Sequence, residues 1–114
     1  MRTVLIVDDY APFRDSARDL LQGGDFDVVG EAEDGQSALL LAEKLHPEVV
    51  LLDVHMPDLD GFDVARRLAA LESPPTVVLT SSRDDYASLV AGSAAHAFVR
   101  KDALSAETLA AALA

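Results

Sequence analysis

The chain contains no cysteine and no tryptophan. Without cysteine it has neither disulfides nor thiolate metal sites, which fits a reducing compartment. Aromatic residues make up only 5% of it, so its core must be built mostly from Val, Leu and Ala. No apolar run approaches the ~20 residues of a membrane-spanning helix. The opening MRTVLIVDD lacks the basic start and long apolar stretch of a secretory signal. Basic residues are scarce too: nine against twenty acidic ones, for a net charge of -11. Such a surface repels nucleic acid and anionic membranes, so neither is an expected partner of this segment. A cytoplasmic protein is the expectation.

What is present suits one domain over residues 1–114, since half of the 114 residues are apolar and no linker or repeat divides them. Short, β-branched apolar runs occur at 3–7, 26–32, 49–52, 76–80 and 96–99. Helical spacing lies between them. Phe13, Ala17, Leu20 and Leu21 form one stripe, Ala38, Leu41, Ala42 and Leu45 a second, and Val64, Leu68 and Leu71 a third. A last helix is predicted from about Ser105 to the end. The stretch 83–93 is the weakest helix, with Gly92, two serines and a diffuse stripe, and its low propensity marks it as a mobile element. Strands that are apolar throughout, each followed by a helix, predict a parallel sheet covered on both faces. Right-handed crossovers and the chain's size make a small doubly wound α/β fold the expectation.

In such folds ligands sit beyond the carboxyl ends of the strands, at the point where strand order reverses. The polar residues of this chain fall there. The first strand runs into Asp8 and Asp9, the third into Asp53, the fourth into Thr80 and Ser81, and the fifth toward Lys101. In the known flavodoxin-like order 2-1-3-4-5, the first and third strands flank the switch point, and three carboxylates share one crevice. Like charges so close need a counter-charge. Mg²⁺ is the natural one, because it accepts one or two carboxylates, keeps waters and binds phosphate oxygens. A nearby ammonium and hydroxyl suit a phosphoryl group better than a bare structural metal.

Taken singly, each residue has a plainer explanation. Asp8 or Asp9 could be an N-cap before a helix that carries Pro12. Asp53 could open a polar turn with Pro57 and Gly61, Thr80 is ordinary at a strand end, and Lys101 could be a solvated lysine. Their joint position at strand ends of one sheet is what argues against five coincidences.

The same residues carry a resemblance. VLIVDD (4–9), LLDVHMPDLDG (51–61), VVLTSS (77–82) and FVRKD (98–102) resemble the receiver domain of bacterial two-component response regulators, over essentially the whole chain. The second segment is the most specific, since D-x-x-M-P-x-x-D-G surrounds that family's phosphoacceptor. The resemblance implies a (βα)5, doubly wound, flavodoxin-like fold: a five-stranded parallel sheet in order 2-1-3-4-5 with helices on both faces. It implies phosphorylation of Asp53, with Mg²⁺ (or Mn²⁺) held by Asp8, Asp9, Asp53 and the backbone carbonyl of His55. Lys101 would pair with the phosphoryl oxygens and Thr80 would hydrogen-bond to them. Ser81 stands beside the phosphoryl site, and Phe98 where the family has a switch aromatic.

The implied partner is a sensor histidine kinase or phosphotransfer protein, with small phosphodonors as substitutes. The implied response is a change in the face made by the fourth helix, fifth strand and last helix, controlling an output such as transcription. Dimerisation on phosphorylation is common in the family, so the resemblance implies a second copy of the chain as a further partner. The domain would modify itself and would not be an enzyme turning over an external substrate.

Two residues depart from the pattern. Asp102 replaces the proline that often follows the lysine, a variant that looks like receivers carrying a C-terminal helix-turn-helix. Ala94 stands where a glycine usually ends the fourth helix, so a strained or reshaped turn is expected. His46 and His96 lack metal-ligand spacing and read as surface or turn residues, the His55 imidazole as free, and Asp58 and Asp60 as turn residues. The apolar pattern still running at Ala114 suggests a fragment of a transcriptional regulator or a single-domain regulator.

Three other readings compete. A haloacid dehalogenase-type enzyme would need an aspartate where His55 stands. A flavin or nucleotide binder would need a glycine-rich loop where DDYAPF stands. A phosphorylation-independent interaction module would not need the intact set of Asp8, Asp9, Asp53, Thr80 and Lys101.

Overall fold

A computed structural model describes residues 1–83 and 86–114. Strands β1 (Arg2–Val7), β2 (Phe26–Ala32), β3 (Val49–Asp53), β4 (Thr76–Ser81) and β5 (Ala97–Arg100) alternate with helices α1 (Ala11–Gln22), α2 (Gly35–Leu45) and α3 (Gly61–Ala69) and with a 3-10 segment, Ala87–Gly92. After β5, a 3-10 turn at Lys101–Ala103 leads into α4 (Ala106–Leu113). The strands form one parallel sheet in the order β2-β1-β3-β4-β5.

Alternation along the strands feeds two cores. Leu5, Val7, Val50, Leu52, Val77 and Leu79 pack with Ala38, Ala42, Val64 and Leu68 of α2 and α3. On the other face Val4, Ile6, Val49, Leu51 and Val78 pack with Ala17, Leu21 and Leu109 of α1 and α4. Strand β3 is therefore buried along its whole length, its final Asp53 included. That is why its sequence is apolar throughout instead of alternating.

The helix starts follow local chemistry. Asp34 accepts from Ser37 N at 2.7 Å to cap α2, and Asp60 accepts from Asp63 N at 2.9 Å to cap α3. Ser105 and Thr108 form a reciprocal capping box on α4. At α1 the N-cap is Tyr10, without a side-chain cap, and Pro12 lies in the first turn, where its missing N–H costs nothing. Neither Asp8 nor Asp9 is spent as the cap of α1.

Two expectations need correction, and a third is narrowed. The helix predicted over 83–93 is no α-helix in its described part: Ala87–Gly92 is 3-10 and buries no residue, and Asp84 and Asp85 lie outside the described residues. The segment has no apolar stripe, and only Val90 of its residues packs, partly buried, against the core. Leu20 and Leu45, assigned to buried stripes, are 42% and 36% exposed, at the margins of faces whose centres are Ala17, Leu21, Ala38 and Ala42. The turn at Ala94, expected to be strained or reshaped, carries no strain. Ser93 is extended there (φ -112°), and among the described non-glycine residues only His46, the C-cap of α2, has positive φ.

Candidate functional site

The reversal of strand order at β1 and β3 puts their carboxyl ends side by side. Val7 pairs with Leu52, so Asp8 and Asp53 follow as neighbours. Asp53 pairs in turn with Thr80, and Val54 N donates to Thr80 O at 2.9 Å. Ligand oxygens of Asp8, Asp9 and Asp53 lie within 4.8 Å of one another. Asp8 is fully buried, Asp53 is 5% exposed, and Asp9 is exposed at the mouth.

Lys101, the residue after β5, reaches across the crevice. Its Nζ lies 2.6 Å from Asp8 Oδ2 and 3.4 Å from Asp53 Oδ2, and 4.7 Å over the Phe13 ring. Burial alone would pull its pKa down, but the bond and charge of Asp8, aided by Asp53, hold it above 10.5. For Asp53 the balance runs the other way. Burial, then the charge of Asp8, pushes its carboxyl above the usual 3.8, against Lys101 and the His55 N–H. The crevice thus has less positive charge than its carboxylates require.

Thr80 supplies a second sign of incompleteness. Its hydroxyl is buried and has no hydrogen-bond partner. Ser81 is 2% exposed and its Oγ accepts from Arg83 N at 3.1 Å. Phe98 pairs with Leu79 and lies half-buried against the core under α2 and α3. His55 N donates to Asp53 Oδ1 at 3.3 Å, and a lone antiparallel bridge joins His55 to Asp60. Gly61 closes this loop. A Cβ there would stand 2.6 Å from Asp53 O and 2.7 Å from Val54 Cα, so only glycine fits.

Asp8, Asp9, Asp53, Lys101 and Thr80 therefore meet at one place, Phe98 lies apart against the core, and the His55 imidazole is not free as expected. Its Nε2 lies 2.6 Å from Tyr86 Oη, with the rings edge to face at 5.2 Å. Tyr86 carries no sequence signal of this, because it lies in the stretch with the weakest periodicity. Arg14 was also missed. It donates to Asp8 O at 2.6 Å while pairing with Glu31, and so ties the acidic turn to β2. The repeat of Arg14 and Arg18 four residues apart, both on Glu31, was the available hint.

Three clustered carboxylates, an under-compensated charge and an unpartnered hydroxyl fit a hard divalent cation with a phosphoryl group beside it. A parallel 2-1-3-4-5 sheet with this acidic switch point defines the receiver class of signalling domains. Comparison with known proteins agrees: residues 4–114 match the response regulator receiver domain model, and the chain belongs to that family. It is 45% identical over 85 residues to the transcriptional regulatory protein PdtaR of Mycobacterium tuberculosis, covering 73% of this chain and 42% of that protein. It is 39% identical over 115 residues to the protein designated NarL in the same organism, covering 96% of this chain and 52% of the relative. The chain thus spans about half, or less, of the relatives' length. Among solved structures, the signal receiver domain of that NarL superposes with a TM-score of 0.85 at 36% identity, covering 98% of this chain and 93% of that one. The receiver of Thermotoga maritima CheB gives 0.79 at 29% identity, covering 99% and 89%.

Proposed function

We propose that this receiver accepts a phosphoryl group on Asp53 from a histidine kinase, a phosphotransfer protein or a small phosphodonor, in a Mg²⁺-dependent reaction. The observation that carries the reading is the convergence of Asp8, Asp9 and Asp53 within 4.8 Å, with Lys101 bridging two of them. Asp8, Asp9 and Asp53, with the carbonyl of His55, would hold the cation. When bound, it supplies positive charge against the anionic donor and orients the transferring oxygens.

The chain's own residues do the rest. A carboxylate oxygen of Asp53 attacks phosphorus and forms the new O–P bond. The donor's bond to phosphorus breaks, and its electron pair leaves with the acetate or imidazole. Such a transfer needs positioning and charge compensation more than covalent help. Lys101 keeps its ammonium and turns it from the carboxylates to the new oxygens. Thr80 donates its unpartnered hydroxyl to one of them. The product adds roughly -1 or more of charge and three acceptor oxygens. Drawing Thr80 toward it opens space for Phe98, which changes the face formed by the 3-10 segment, β5 and α4.

On this reading the domain modifies itself and does not turn over an external substrate. Its output is transcriptional, in keeping with relatives that are transcriptional regulatory proteins. Intact-mass measurement after acetyl phosphate with Mg²⁺ tests the reaction. One added phosphoryl group is expected, lost with a chelator and lost in Asp53→Ala. Full labelling under chelation, or in the variant, would contradict it.

A further inference from the structure

Asp58 sits at the tip of the loop between β3 and α3, five residues beyond the phosphoacceptor. A turn residue there would bond only to its own loop. Asp58 accepts from Leu59 N of its own loop at 2.9 Å, but it also reaches another element: its Oδ1 accepts from Gly35 N at 2.8 Å and its Oδ2 from Gln36 N at 3.0 Å. These are first-turn donors of α2, which a helix leaves unpaired. Asp34, the cap of α2, takes Ser37 N, so the two aspartates divide the terminus between them. These N–H groups, that of Gly35 foremost, hold the Asp58 carboxyl below the usual 3.8.

A second contact backs the first. Leu59 packs so closely on Gly35 that a Cβ there would stand 3.0 Å from Leu59 Cδ1 and 3.0 Å from Val64 Cγ2. The base of the loop is fixed by Gly61 N on Val54 O at 2.7 Å and by the His55–Asp60 bridge. Pro57 brings no N–H to the tip. Among the described residues, the two bonds from Asp58 are the hydrogen bonds that fasten residues 56–59 to another element.

The geometry points to Asp58 as a positioning residue for the cation: by clasping the loop to the start of α2, it adds to the base contacts that hold the backbone at His55, whose carbonyl is the proposed ligand. A carbonyl already in place is not ordered at the expense of binding, so its loss shows as weaker affinity. The inference rests on the proposed Mg²⁺ site.

The test is calorimetric titration of the whole chain with Mg²⁺ alone, at about 0.15 M salt to screen distant charge. Asp58→Ala is expected to bind ~10-fold more weakly, the scale of losing an outer support of a metal site. Asp58→Asn keeps a neutral acceptor for Gly35 N and is expected to recover part of that loss. Melting curves confirm that each variant is folded at the titration temperature. Parental affinity in Asp58→Ala, with or without a lower melting point, would overturn the inference, as would an Asn variant as weak as Ala, which would assign the effect to lost charge. If the parent itself takes up no Mg²⁺, the proposed site fails, a result distinct from either.

Discussion

At the scale of residues, Asp53 answers for both the instability and the chemistry of the crevice. Its carboxyl is held above 3.8 by burial and by Asp8, so the folded chain keeps a proton that the unfolded chain has released. Stability therefore falls as pH rises from 3.8 through the raised value, and above it the ionised group is a net cost. Asp53→Asn, measured without metal at neutral pH, should melt at a higher temperature than the parent. That gap should close as pH falls to 3.8, and urea unfolding across the range reads it directly. Lys101 has the same sign in a higher window: its ion pairs stabilise up to 10.5 and are lost as pH climbs through its raised pKa. Gly61→Ala should cost about 1–3 kcal/mol, because its Cβ must displace backbone around Asp53, and labelling by acetyl phosphate should slow as well. Most of the site was legible at this scale, because strand-end carboxylates, a hydroxyl and a lysine announce themselves by type and place. Tyr86, Arg14 and Asp58 did not. Each acts through a partner 6 to 31 residues away that no local pattern encodes.

At the scale of elements, the 3-10 segment Ala87–Gly92 is the weakest joint. It buries no residue, whereas β1 and β3 are almost wholly buried. Hydrogen exchange should open its amides orders of magnitude faster than those of β3. Exchange protection of this segment and of β5 should change on phosphorylation in the parent, and far less in Thr80→Ala, which should still be labelled at Asp53. An unaltered response in that variant would remove Thr80 from the switch. The five strands, α1 to α3 and α4 were readable from their periods, while the caps Tyr10, Asp34 and Asp60 were not. The fourth helix was misread as α because its place in the alternation suggested one. Its residues, rich in Ala with Gly92 at the end, anchor it to the core through the partly buried Val90 alone.

At the scale of the molecule, a charge of -11 on 114 residues sets the background against which any specific cation must be judged. Added salt should stabilise the chain modestly by screening self-repulsion. Mg²⁺ should stabilise it further at matched ionic strength, by about 2.7 kcal/mol at a hundredfold excess over its dissociation constant. Equal effects from both salts would mean that screening is all there is. The central claim is that Asp8, Asp9 and Asp53 act together as one cation site and are not merely part of an acidic surface. Substoichiometric Mn²⁺ added to isotope-labelled protein tests it most directly, because the ion erases NMR signals of nearby amides. Loss confined to residues 8–9 and 53–55 and their neighbours at 80–81 and 101 is the predicted result. Broadening spread over exposed carboxylates such as Asp15, Asp19, Asp25 and Asp27, with the crevice untouched, would contradict it.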